Sequence, residues 1–356
     1  MKAPFTRKTA ALALLVLTAG CAARPIGKPV VWPAPPDTPR IRFVTAFRSG
    51  ADLDLSAGAE FMRALVAGNR DVSIVRPQGI ALSPDGGKLY IADYPGGRVL
   101  VADFKAKTLQ ELANSDVIGW PFGIAVDAKG RIYVADQPGK RVVVISPAGE
   151  RLLSFGREEE LVRPCGVAVD SRNGLVYVAD PATIDTPDHR VLVYDFEGKL
   201  VRTMGEGRGS ENGQFNVPLW VAVDSAGRLY VVDALNFRVQ VFESDGAFVA
   251  AFGKNGDSPG DFSRPKGIAV DKFGVIYVAE GEVNVVQLFN QNYEPLMYFG
   301  GPTDKLEYPD MPAGIAVDPA TNRIYLANEG HPRINVYELI NTTSNDPGFA
   351  GQKRRK

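Results

Sequence analysis

One run of residues returns six times along this chain, and that return restricts the fold more than any other feature. It reads Pro, any residue, Gly, apolar, Ala, apolar, acid, then a short turn. An apolar-Tyr-apolar-Ala-acid run follows, then a loop and Arg-Val-x-Val. The copies open at Pro77, Pro121, Pro164, Pro218, Pro265 and Pro312, at intervals of 44, 43, 54, 47 and 47 residues. A period in the forties with four short alternating segments per copy predicts the blades of a propeller. In the second copy the strands are expected at 123–127, 132–136, 141–145 and 151–155. The innermost strand alternates Gly123 and Ala125 with Ile124 and Val126. Blades crowd together near the axis, so small side chains are needed there for packing alone. The 37 glycines and 26 prolines suit the many turns.

The sixth copy lacks its outer strand. After residues 333–337 the chain continues as a polar stretch, INTTSNDPGFAGQKRRK. The segment 41–47, IRFVTAF, resembles the outer strands LLSFG and LVRTMG of other copies. It is expected to complete the sixth blade from the other end of the chain and so remove an exposed sheet edge. The expected fold is all-β: a six-bladed β-propeller of four-stranded blades, its ring closed by an N-terminal strand.

The start of the chain has a different character. Lys2, Arg7 and Lys8 precede a short apolar run, TAALALLVLT, and Leu17-Thr18-Ala19-Gly20-Cys21 follows. The run is shorter than a bilayer-spanning helix requires. These residues resemble the signal and lipobox of bacterial lipoproteins, which implies cleavage before Cys21 and acylation of that cysteine. Three acyl chains anchor firmly where one does not. Ala22 in place of Asp implies transfer to the outer membrane. Residues 1–20 are thus expected to be a signal peptide and 21–39, with six prolines, a semi-rigid spacer. The propeller is expected over 40–338 and a polar basic tail over 339–356.

The repeats resemble the NHL repeat of bacterial six-bladed propeller lipoproteins. The lead-ins Gly213-Gln214-Phe215-Asn216-Val217-Pro218 and Gly260-Asp261-Phe262-Ser263-Arg264-Pro265 match its pattern. The resemblance implies the fold; a fold of this kind hosts many activities.

Strand order puts the loops joining second to third strands, and outer to next inner strands, on one face. The variable segments 49–76, 181–189, 206–217, 254–264 and 301–311 all fall there, so function is expected on that face and at the channel mouth. Segment 56–66 is expected to form a short helix, packed on the ring or, as the alternative, offered to a partner.

The repeated second-strand acids Asp93, Asp136, Asp180 and Asp233, each followed by Arg98, Arg141, Arg190 or Arg238, are expected to tie one loop per blade. Residues that break the repeat are the site candidates. Trp220 replaces the Gly of Pro-x-Gly. Glu280 replaces Asp, Val285 replaces Arg, and Glu282 adds an acid. Phe122, Cys165 and Lys266 hold the variable position of Pro-x-Gly, and His189 and His331 lie in loops of opposite blades.

Lys plus Arg number 40 and Asp plus Glu 41, so no bulk charge draws nucleic acid. With two histidines and two cysteines, no catalytic triad, phosphate loop or Cys cluster is present. Amidating lyases, on propellers similar to this one, employ several His ligands that this chain lacks. Lactonase-type propellers use Glu, Asn and Asp on a channel metal, which leaves Glu280, Glu282 and Asn328 as the comparable set. The expectation is a lipid-anchored envelope propeller, without a cofactor, that binds a protein, peptide or glycan through its loop-rich face. The alternative is a periplasmic metal-assisted hydrolase or lyase with its site at the channel mouth.

Overall fold

The computed structural model describes residues 29–342, apart from 54–71, 95, 157–159 and 184. Six antiparallel sheets stand in a ring, five of four strands and one of five. Blade one is built from Pro77–Leu82, Lys88–Asp93, Arg98–Asp103 and Thr108–Ala113. In blade two the outer three strands are Ile132–Asp136, Arg141–Ile145 and Arg151–Phe155, as expected. The innermost strand there is Pro121–Val126: it starts at the proline and ends one residue before the acid, which turns away to accept turn amides.

The core is divided among the blade interfaces. One cluster joins Tyr90, Ala92 and Val99 of blade one to Ile124, Ile132 and Val134 of blade two. Five more clusters bridge the remaining neighbours, so every blade buries both faces of its sheet. In blades two, four and five the repeated Tyr is tied to the Asp that follows the innermost strand. Tyr133, Tyr230 and Tyr277 donate to Asp127, Asp224 and Asp271 at 3.3, 3.1 and 2.9 Å. Each buried hydroxyl thereby keeps a partner.

Around the axis the innermost strands approach backbone to backbone. A Cβ on Gly123 would lie 2.2 Å from the Cys165 carbonyl oxygen, and one on Gly267 2.1 Å from that of Ala313. The small residues of Pro-x-Gly are therefore a packing requirement of ring closure. Blade four is the exception. Its Trp220 fills the interface with blade five instead, packed among Val232, Phe262 and Ile268.

The ring closes through Ile41–Phe47, which pairs antiparallel with Arg333–Leu339 as the outer strand of blade six. Ile41 and Phe47 are buried on two successive blade interfaces. The expected spacer is partly structural. Val31–Trp32 pairs with residues 41–42 as a fifth strand. Trp32 packs on Phe299, Tyr308 and Tyr337, with ring centroids 5.3–5.9 Å apart. Prolines fit an edge strand because its outward N–H groups need no partner. The proposed lipidation site Cys21, the segment 56–66 and the tail beyond residue 342 lie outside the described residues.

Candidate functional site

The second-strand acids fasten each blade's lead-in loop. Asp93 Oδ1 accepts the amides of Val75 and Arg76 at 3.0 and 2.7 Å, and Arg98 Nε donates to its Oδ2 at 2.9 Å. Asp136, Asp180 and Asp233 make the corresponding contacts with Arg141, Arg190 and Arg238. These four buried acids therefore hold loops, once per blade.

The residues offered for a channel metal are held in the same way. Glu280 Oε2 accepts the amides of Ser263 and Arg264 at 3.0 Å each. Asn328 Oδ1 accepts the Asp310 amide at 2.8 Å, and Glu282 is exposed. None of the three lines the cavity at the channel mouth, Glu280 bordering a separate one, and the described residues contain no group of three or more His, Cys, Asp or Glu side chains able to hold a metal. This donor set does not fit the lactonase-type metal site.

The two histidines are separated and already engaged. His189 is fully buried; its Nδ1 accepts the Val217 amide at 2.9 Å and its Nε2 lies 3.2 Å from the Thr183 carbonyl oxygen. It ties the blade-three insertion to the lead-in of blade four and is out of a partner's reach. His331 is exposed and pairs with Asp310. Cys165 is buried beneath the mouth, with the Gln137 amide 3.3 Å from its Sγ. Burial pushes its thiol up to about 12, so it is not a nucleophile near neutral pH.

Phe122, Trp220 and Lys266 do come together. They line a cavity of about 400 Å³ on the loop-rich face at the mouth of the central channel. One wall is apolar: Phe122 and Trp220 have ring centroids 5.4 Å apart, and Leu219 and Phe237 extend the surface. Trp220 is 7% exposed, so it is no open platform for a macromolecule. Its Nε1 is buried without a hydrogen-bond partner.

The opposite wall is polar. Lys266 Nζ pairs with Glu329 Oε1, and both side chains are nearly buried, 10% and 7% exposed. Arg76 reaches the other oxygen of Glu329 at 3.4 Å from the exposed side. Gly281 leaves room for the lysine stem: a Cβ there would lie 3.1 Å from Lys266 Cε. Burial opposes ionisation of Glu329. Lys266, the hydrogen bonds from Lys266 and Gln78, and Arg76 outweigh it and hold the carboxyl below its usual range. Tyr94 lines the same cavity and stands edge-on to the exposed Trp120 at 5.5 Å.

Glu329 is the site residue absent from the sequence expectations. It directly follows the second strand of blade six, where the other blades carry Tyr94, Gln137, Pro181, Ala234 and Gly281. Comparing that position across the copies would have marked it as the one acid among them.

Residues 69–155 match the family model of the SMP-30/gluconolactonase/LRE-like region, and residues 221–293 match a model described as a 6-bladed β-propeller. Among solved structures, a gluconolactonase from Xanthomonas campestris is 21% identical with a TM-score of 0.59. That match covers 89% of this chain and 99% of the other. Virginiamycin B lyase from Staphylococcus aureus is 16% identical at 0.53, covering 73% and 80%. A chain of a nidogen/laminin complex is 17% identical at 0.51, covering 63% and 79%. These similarities carry the six-bladed propeller fold, which is shared by a gluconolactonase, a lyase and a chain of a nidogen/laminin complex.

Proposed function

We propose that this propeller is a small-molecule hydrolase or lyase working at the channel mouth, in preference to a scaffold for a macromolecule. The observation that carries it is the nearly buried Lys266–Glu329 pair facing an aromatic wall across a cavity of about 400 Å³. Such a cavity is of ligand size, mostly apolar, with a few converging polar groups. A scaffold surface would need an exposed apolar anchor in its centre. Trp220, the residue best suited by type, is packed inside.

The chemistry follows from the two walls. A ring or acyl portion of the substrate lies on Phe122, Trp220 and Leu219. Its carbonyl oxygen faces Lys266, whose ammonium group stabilises negative charge as it develops there. Glu329, held ionised, accepts the proton of an attacking water in hydrolysis, and returns it to the leaving oxygen as the acyl C–O bond breaks; in elimination it takes the proton of a substrate carbon as the neighbouring C–O bond breaks, and passes it to the departing oxygen. The gluconolactonase and the virginiamycin B lyase among the similar structures support ring-bearing small molecules as the first substrates to try.

Purified protein incubated with a panel of sugar lactones, cyclic esters and lyase substrates is expected to turn over at least one class. An inert enzyme across the panel, together with saturable binding of an envelope protein or glycan to the loop-rich face, would overturn the enzyme assignment.

We further propose that Cys21 carries the lipid that holds the protein to the outer membrane. Cys21→Ser is expected to lose acyl labelling and to shift from the membrane to the soluble fraction. Unchanged labelling and retention would refute the anchor.

A further inference from the structure

Blade five lacks the cation that the repeat supplies elsewhere. Asp93, Asp136, Asp180 and Asp233 each face an arginine that opens the third strand. Even in blade six, where Asn328 replaces the acid, Arg333 remains. In blade five Glu280 faces Val285.

Blade four shows what the arginine does. Arg238 Nε donates to Asp233 Oδ2 at 2.9 Å, and its Nη2 donates to the carbonyl oxygens of Glu211 and Gln214 at 2.8 and 3.0 Å. Blade five repeats that frame. Parallel bridges Arg208–Phe215 and Asn255–Phe262 shape the two lead-in loops alike. Gln240 accepts the Gly213 amide at 3.0 Å and donates to the Gln214 carbonyl at 2.7 Å. Gln287 accepts the Gly260 amide at 2.8 Å and donates to the Asp261 carbonyl at 2.6 Å. Ser258 and Asp261 thus stand where Glu211 and Gln214 stand one blade earlier.

The guanidinium is what blade five leaves out. In that region lies a cavity of about 420 Å³ lined by Glu280, Ser258, Asp261, Val285, Gln287 and Tyr298. Glu280 is 1% exposed, and its Oε1 is buried with no hydrogen-bond partner. A buried carboxylate oxygen without a partner is costly, and the cost falls when a donor arrives. Lys254 does not supply it, being exposed and reaching Asp261 instead.

We propose that this cavity binds a guanidinium group brought from outside the blade, as an arginine side chain or a free alkylguanidine, in the place that Arg238 takes in blade four. The planar donor fork of a guanidinium matches one carboxylate oxygen and two carbonyls; an ammonium group is a point charge without that geometry. The cavity exceeds a guanidinium in volume. Tyr298 and Val283, both exposed in part, offer apolar surface at its rim for an alkyl stem. The site is separate from the channel mouth and stands or falls independently of the activity proposed there.

The test is titration of the full chain with agmatine, followed by calorimetry. The wild type should bind one equivalent saturably, and butylamine should bind about tenfold or more weakly, a difference near 1.4 kcal/mol. N-acetyl-arginine amide in place of agmatine distinguishes a peptide side chain from a free alkylguanidine. Either one binding alone names the source. Val285→Arg places the blade-four arginine into the site from within. That variant should lose agmatine binding and melt higher than the wild type. Glu280→Gln should also lose binding; should it fail to fold, Val285→Arg still decides. No saturable binding of either guanidine, binding unaffected by Val285→Arg, or butylamine equal to agmatine would overturn the proposal.

Discussion

Removal of residues 29–47 is expected to abolish cooperative folding or to lower the melting temperature by about 10 °C or more. Ile41 and Phe47 are buried on two successive blade interfaces, and Trp32 and Phe43 pack against the first of them. Burial of each large apolar side chain contributes roughly 1.5–3 kcal/mol. The strand also pairs six residues with Arg333–Leu339, and its loss leaves that strand as an open edge. The combined loss approaches the total stability of a typical domain, about 5–15 kcal/mol. For a domain of this size each kcal/mol moves the melting temperature by about 2 °C. Removal of residues 343–356, a polar stretch past the last strand, is the control and should change melting little. Thermal unfolding followed by circular dichroism separates the two. Equal melting of the first truncation and the full chain would show that the ring does not depend on this closure.

The second large effect is expected at Lys266 and Glu329. Glu329→Gln removes the proton acceptor, and Lys266→Met removes the charge that faces the developing oxyanion. Each should lower kcat by about 10²–10³-fold on whichever substrate the wild type turns over. Breaking a buried pair from one side leaves an unpaired charge and costs about 3–5 kcal/mol of stability. The double variant Lys266→Met with Glu329→Gln leaves no such charge, so it should melt above either single variant while remaining inactive. Glu329 is held below its usual range, so it stays ionised to lower pH than an ordinary glutamate. The acid limb of the wild-type kcat/KM profile should therefore lie below the usual glutamate range. Full turnover in both single variants would remove these residues from the chemistry.

The blades were legible in the sequence because each copy carries its own strand pattern and packing requirement. The close approach of Gly123 and Gly267 to the next blade's backbone accounts for a motif visible in the residues alone. Closure by residues 41–47 was legible because the sixth copy was one strand short. The docking of Trp32 was not, since the prolines around it describe an extended chain whether free or packed. The site was legible only in pieces. Phe122 and Lys266 hold the variable position of Pro-x-Gly and Trp220 replaces the glycine beside it, and the ring brings the three to one cavity. Whether a tryptophan there would be open or packed depends on the blade-five surface it meets, on Phe262 and Ile268, which no local pattern reveals. Glu329 lies just past the repeated strand, in blade six. Its meaning comes from Lys266, a residue 63 positions away in the preceding blade.

The most direct measurement is a crystal structure of the protein with a turned-over substrate's product bound. The account predicts the product at the channel mouth, its former carbonyl oxygen within hydrogen-bond distance of Lys266 Nζ. Its apolar portion should lie against Phe122 and Trp220, with a carboxylate oxygen of Glu329 next to the reacting carbon. A product bound elsewhere on the propeller, with the Lys266–Glu329 pair untouched, would contradict it.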